Sequence, residues 1–211
     1  MKTRVLPIVL AAFAVSAIAQ TGKKTWDFEK DKPGAIAKGF TNEMGEWKVV
    51  ADASSPSKGN ALAQTAKNSG FNLALVSGTS YKDVDLSVKM KAVAGDEDQG
   101  GGLVWRAKDK DNYYIARFNP LEDNYRVYKM EHGNRSAEFQ NATVKGDKGW
   151  HTLRVTMIGD SIECYLDGKK RLSVKDKTFQ GAGRIGLWTK SDAQSHFANL
   201  SVSTPVQEKK R

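Results

Sequence analysis

Arginines alternate with aromatic rings along three neighbouring stretches of the chain. Val104 and Arg106 share one parity, Tyr113, Ile115 and Arg117 a second, and Arg126, Tyr128 and Met130 a third. Such a mixture suits a saccharide, whose flat C–H faces pack on rings and whose hydroxyls bond planar guanidinium, amide or carboxylate groups. Three guanidiniums with no carboxylate in the same run are costly in a core. Arg106, Arg117 and Arg126 are therefore expected on an open face, joined by Tyr113, Tyr128 and Trp188. The competing reading is a set of ordinary amphipathic strands whose arginines face solvent.

Other chemistry is thinly represented. Glycosidase catalysis needs two carboxylates flanking the scissile bond, and acids at i, i+2 or i+4 would share a strand face. No Glu-x-Asp-x-x-Glu run occurs; Glu163 and Asp167 share a face, but Asp167 begins an Asp-Gly turn. Glu131 is the acid to replace if a groove proves catalytic. His132, His151 and His196 stand far apart and no Cys-x-x-Cys pair exists, so zinc is not expected. No cofactor is expected; calcium is the one candidate, with oxygen ligands from Asp96-Glu97-Asp98 or from Asp109, Asp111 and Asn112. Gly181-x-Gly183-x-x-Gly186 has dinucleotide spacing but is followed by a strand pattern, not a helix, and reads as a glycine-rich strand entry. Cys164 is the only cysteine, and it alternates with Ile162 and Leu166 as a small core residue.

These side chains must be positioned by strands. Val84, Leu86, Val88, Met90 and Ala92 fall on one face, with Asp85, Ser87, Lys89 and Lys91 on the other. Residues 153–157 and 162–166 repeat the alternation and are joined by Gly159-Asp160; Asp167-Gly168 then turns into residues 169–174. Further strands are expected at residues 26–30, 46–51, 61–67, 101–107, 113–119, 125–131, 184–189 and 196–202. Many short strands and no helical pattern predict an all-β, two-sheet antiparallel sandwich.

Residues 1–19 read as a signal peptide: Lys2 and Arg4, an apolar run, then Ala17-Ile18-Ala19. An exported protein, periplasmic or extracellular, is the expectation. The apolar run is too short to span a bilayer, which takes about 20 residues, so no membrane span is expected. Residues 24–204 form the sandwich domain and 205–211 a basic tail. Losing Lys2 and Arg4 from a net charge of +9 leaves +7. The lysines are scattered over alternate strand positions instead of forming one stripe, which excludes a nucleic-acid partner.

The stretches GGGLVWR (100–106), NYYIAR (112–117), NYRVYK (124–129), GWHTLR (149–154), YLDG (165–168), GLWT (186–189) and FANL (197–200) resemble, in order and spacing, the concanavalin A-like lectin/glucanase superfamily. Within it the chain is most similar to secreted bacterial laminin-G-like jelly rolls and to the 3-keto-disaccharide hydrolase domain. The resemblance spans about residues 24–204. It implies two curved sheets of six or seven strands and a concave face that holds a saccharide. Where relatives carry a Tyr-Glu-x-Gln type segment, this chain has Tyr114, Ile115 and Ala116, and its closing strand has Ala198-Asn199 in place of Asp-Asn. The resemblance therefore implies a non-catalytic carbohydrate-binding module, with a glycoside-degrading enzyme, hydrolase or lyase on glycosides or 3-keto-disaccharides, as the alternative. A third reading is a domain that binds protein on a sheet edge.

Overall fold

A computed structural model describes residues 20–205. The leader assigned to residues 1–19, and residues 206–211 of the basic tail, lie outside the described residues. The described chain contains strands and turns and no helix; none of its elements is a helix long and apolar enough to cross a membrane.

Sixteen strands run in order: β1 Gln20–Trp26, β2 Phe40–Met44, β3 Trp47–Ala51, β4 Asn60–Gln64, β5 Phe71–Val76, β6 Val84–Ala94, β7 Gly101–Asp109, β8 Asn112–Asn119, β9 Asn124–Glu131, β10 Asn134–Arg135, β11 Gln140–Thr143, β12 Trp150–Ile158, β13 Ser161–Leu166, β14 Lys169–Lys175, β15 Arg184–Lys190 and β16 Gln194–Pro205. They build two antiparallel sheets. The first has the order β14-β13-β12-β6-β16-β4-β3, with β1 also on β16; the second has the order β10-β9-β8-β7-β15-β5-β2, with β11 also on β9. Each sheet thus holds eight strands, against the six or seven that the resemblance implies.

The two sheets obey different sequence rules. In β6, β12 and β13 burial alternates residue by residue, as expected where one face packs and the other meets water. In β5, β7, β8 and β15 both parities are buried. The inward rows of both sheets meet in the main core, where Trp105 stacks on Tyr114 at 5.5 Å and Leu86, Val88, Leu103, Val127, Leu153 and Val155 are fully enclosed. Each such aliphatic side chain contributes about 1.5–3 kcal/mol on burial. Cys164 lies in that core, and burial pushes its thiol far above the ordinary value.

Turn chemistry accounts for the connections. Asp167 and Gly168 both take positive φ, 49° and 78°, the pairing that a two-residue hairpin with matching twist demands. Gly183 and Gly186 are spacers: a Cβ there would stand 2.4 Å from the carbonyl carbon of Arg106 and 2.3 Å from the oxygen of Ala74. The expected strand at residues 26–30 ends at Trp26, because Phe28 turns to a φ of 64° and the chain bends through 27–39. Strands β2 and β5 lack the alternation that betrays the others. β5 (FNLALV) is buried on both faces, and β2 (FTNEM) is a mostly polar edge.

His151 ties the Asp167 turn to the loop before β12, with Nδ1 2.7 Å from Asp167 and Nε2 3.2 Å from Asp147. Burial disfavours the charged ring, but the two carboxylates outweigh it and raise its pKa above 6.5. A raised folded-state value means the interaction is at full strength below pH 6.5 and fades as pH climbs through the folded pKa. His151→Gln should therefore lower the thermal midpoint most in mildly acidic buffer, with the gap to the native chain closing under alkaline conditions.

Candidate functional site

The outward face of the second sheet carries most of the predicted residues. Pairing aligns them in rows across the sheet. Arg126, Arg117, Gly102, Trp188, Leu73 and Met44 form one, and Tyr128, Ile115, Val104, Gly186, Leu75 and Thr41 form its neighbour. Tyr113 pairs with Met130 one step further on. Leu73, Leu75, Val104, Ala107, Tyr113, Ile115, Tyr128, Met130 and Trp188 make a second apolar cluster with almost no exposed surface, flanked by half-buried Met44 and Phe71.

Curl of the sheet is one way to hide an outward row. Arg135 of β10 measures the curl. Its guanidinium carbon lies 4.6 Å from the ring centre of Tyr128 on β9 and 5.7 Å from that of Phe71 on β5. In a flat sheet those strands are four spacings, about 19 Å, apart, whereas here the two rings can be no more than about 10 Å apart. Curl and the inward lean of the rings close that difference. Phe71 in turn packs on Trp188 at 5.4 Å. The face is a closed trough with Phe71, Met44, Arg126 and Arg135 at its rim.

A buried charge cluster anchors one end. Asp98 is fully buried and accepts from Gly100 N–H at 2.6 Å, Asn119 Nδ2 at 3.2 Å and Arg117 Nη2 at 2.9 Å. Gly100 is required there, since a Cβ would stand 2.5 Å from Arg117 Nε. Arg117 also pairs with Glu122 at 3.2 Å, and Glu122 reaches Arg126 at 3.5 Å and accepts from Asn124 at 2.8 Å. Burial lifts the Asp98 carboxyl above the ordinary carboxylate range against the pull of Arg117. Burial acts the same way on Glu122, but Asn124, Arg117 and Arg126 outweigh it and hold that carboxyl below its usual value. At the opposite end Arg184 pairs with Glu43 at 2.8 Å.

Five polar atoms on this face are buried without a well-formed hydrogen bond in the protein: Arg117 Nε, Asn124 Oδ1, Arg135 Nη1, and Tyr113 Oη and Trp188 Nε1, which reach only weakly toward each other. The described residues hold eight such atoms in all, so most of them gather here. By contrast, a hollow of about 430 Å³ on the outward face of the first sheet is internally satisfied. Its Arg154 donates twice to Asp85, at 2.6 and 2.7 Å, and its Tyr165 donates to Glu163.

Five of the six predicted residues, Tyr113, Arg117, Arg126, Tyr128 and Trp188, share the trough. Arg106 does not. The β7–β8 register shifts between Trp105 and Asp109, and Arg106 takes a φ of 48°. Its guanidinium turns to the end of the sandwich and donates to the carbonyls of Lys82, Phe179 and Gly159 at 2.6–2.7 Å. Arg117, Tyr113, Tyr128 and Trp188 form the enclosed wall and floor instead of an open surface, and only Arg126 stands at the mouth. Parity could not reveal Phe71, Met44 or Arg135, which lie on strands that sequence alternation does not mark. Glu131 has the opposite parity to Met130 and pairs with Lys129 at 2.8 Å. Among the described residues no group of three or more His, Cys, Asp or Glu could hold a metal. The backbone N–H groups of Asp96, Glu97 and Asp98 point at the Asp192 carboxylate, and Asp109 caps Asp111 and Asn112, so both proposed calcium loops serve as turns.

Residues 23–203 match the model of the 3-keto-alpha-glucoside-1,2-lyase-like domain. The chain belongs to this family. No curated protein matches it. Among solved structures, it is similar to the carbohydrate-binding module CBM66 from Bacillus subtilis at 22% identity and a TM-score of 0.68, over 81% of this chain and 98% of that one. It is also similar to the beta-glucanase of Bacillus licheniformis, at 14% identity and a TM-score of 0.58 over 89% and 100% of the two chains. The carbohydrate recognition domain of Emp47p follows at 13% identity and 0.56, over 85% and 94%. At these identities the likeness establishes the jelly-roll sandwich.

If Asp98 anchors the trough, Asp98→Ala should cost about 3 kcal/mol in urea unfolding, because it strands Arg117, Asn119 and the Gly100 N–H. Asp98→Asn should cost less, since the amide oxygen still accepts.

Proposed function

We propose that the chain is an exported, non-catalytic carbohydrate-binding module that takes a glycan into the trough of the second sheet. One observation carries the reading: buried polar atoms without protein partners collect on the same face as Phe71, Tyr128 and Trp188. A saccharide meets both halves of that arrangement, with C–H faces for the rings, acceptor oxygens for Trp188 and Tyr113, and a hydroxyl donor for Asn124 Oδ1. Carbohydrate-binding and lectin-type structural neighbours support the same reading. Leader-like residues 1–19 support export, since extracellular and envelope glycans are met only outside the cytoplasm.

The sugar enters at Phe71, Met44, Arg126 and Arg135, and Arg135 leaves its place over the Tyr128 ring as it does so. Phe71→Ala and Arg126→Gln remove contacts at the mouth while sparing the buried floor. Each should weaken binding on a glycan array about tenfold or more with little change in the thermal midpoint. Unchanged binding by both variants would remove the trough from consideration.

A second reading, a glycoside-acting enzyme, is favoured by family membership and by Asp98 and Glu122. These two carboxyls contact one guanidinium, and their environments push their pKa values apart, as an acid and a base require. It predicts product release from glycosides or 3-keto-glycosides that is abolished by Glu122→Gln. Saturable binding without product over a broad panel keeps the first reading and discards the second.

A further inference from the structure

The geometry points to an acidic saccharide as the ligand, with Arg135 as the residue that reads its carboxylate. This deepens the proposed glycan-binding role of the trough and rests on it. Trp188 Nε1, Arg117 Nε and Arg135 Nη1 can only donate, the Tyr113 hydroxyl can do either, and Asn124 Oδ1 alone only accepts. A ligand that satisfies this face must therefore bring more acceptors than donors. A neutral sugar hydroxyl brings one donor with its two acceptor lone pairs and no charge, whereas a uronate exchanges the hydroxymethyl donor for two charged acceptor oxygens that suit an unpaired guanidinium.

Charge at the mouth agrees. Arg106, Arg117, Arg126, Arg154 and Arg184 each have a carboxylate within 4 Å. Arg135 has none among the described residues, and the contacts found for its guanidinium are the faces of Tyr128 and Phe71. Those rings stabilise a cation, so a sugar that claims the Tyr128 face displaces it at a loss. An acid group on the same sugar restores the loss with a charge-assisted, fork-shaped contact that the planar guanidinium suits better than a lysine does. Lys190 lies in the row beside Phe71 and adds a second positive charge on that side. Glu122 is already committed to Arg117, Arg126 and Asn124, so it does not neutralise Arg135.

The test is calorimetric titration of the full chain with three linkage-matched oligosaccharides: a neutral hexose oligomer, its C6-oxidised uronate counterpart, and the neutral oligomer bearing sulfate esters. The expected result is binding of the uronate at least about tenfold tighter than the neutral oligomer, a preference that shrinks with salt. Arg135→Met, which keeps the stem over the rings, should abolish that preference and its salt dependence, and Arg135→Lys should restore part of both. Equal or tighter binding of the neutral oligomer, or an undiminished uronate preference in Arg135→Met, overturns the acid reading and leaves the glycan-binding role standing. Tighter binding of the sulfated oligomer overturns the carboxylate assignment. No binding of any oligomer, with native circular dichroism, overturns both.

Discussion

A sheet that is apolar on both faces has to hide the second face, and a sandwich supplies a partner for only one. The second sheet is in that position. Its inward rows join the core, while Leu73, Leu75, Val104, Ile115 and Met130 face away from the other sheet and are still fully enclosed. At about 1.5–3 kcal/mol for each enclosed side chain, the driving force for curling is larger than the margin by which a domain of this size is stable. The trough is the geometric consequence, and its position follows from which strands are apolar on both parities.

Burial on that face turns ordinary polar groups into expensive ones. Arg117 is tolerable there because Asp98 and Glu122 meet it, and Asp98 in turn because a glycine backbone and Asn119 meet it. Arg106 solves the same problem at the far end with three carbonyls. Both guanidiniums are held mainly by the protein itself, with Nε of Arg117 left over. Arg135 has no such partner, and that difference in satisfaction, more than the identity of the residues, separates the part of the face that scaffolds from the part that can recognise. The first sheet's hollow makes the contrast plain, since its Arg154 and Tyr165 are answered within the protein.

Sequence alternation was sufficient for the first sheet. Leu86, Val88, Leu153, Val155 and Cys164 are all inward as their parity requires, because one wet face leaves a clear period of two. It also grouped Tyr113, Ile115 and Arg117 apart from Tyr114, Ala116 and Phe118 correctly. It fails where both faces are apolar: β5 is buried on both parities and carries no period that would mark Phe71. It fails at Arg106 as well, because a register shift and a left-handed residue reset the parity that earlier positions establish. Arg135 sits in a two-residue strand, too short to show a pattern, and its importance comes from the curl that brings β5 and β9 together, which is a property of the sheet and not of any local segment.

The chain has five tryptophans, and of these Trp188 belongs to the apolar cluster of the trough face, which makes NMR of the indole N–H groups a direct probe. Titrating a bound oligosaccharide into ¹⁵N-labelled protein should shift and protect the Trp188 indole signal while those of Trp26, Trp47, Trp105 and Trp150 stay in place. A saturable shift at Trp150, on the first sheet, with Trp188 unmoved, would contradict the assignment of the glycan site to the curled sheet.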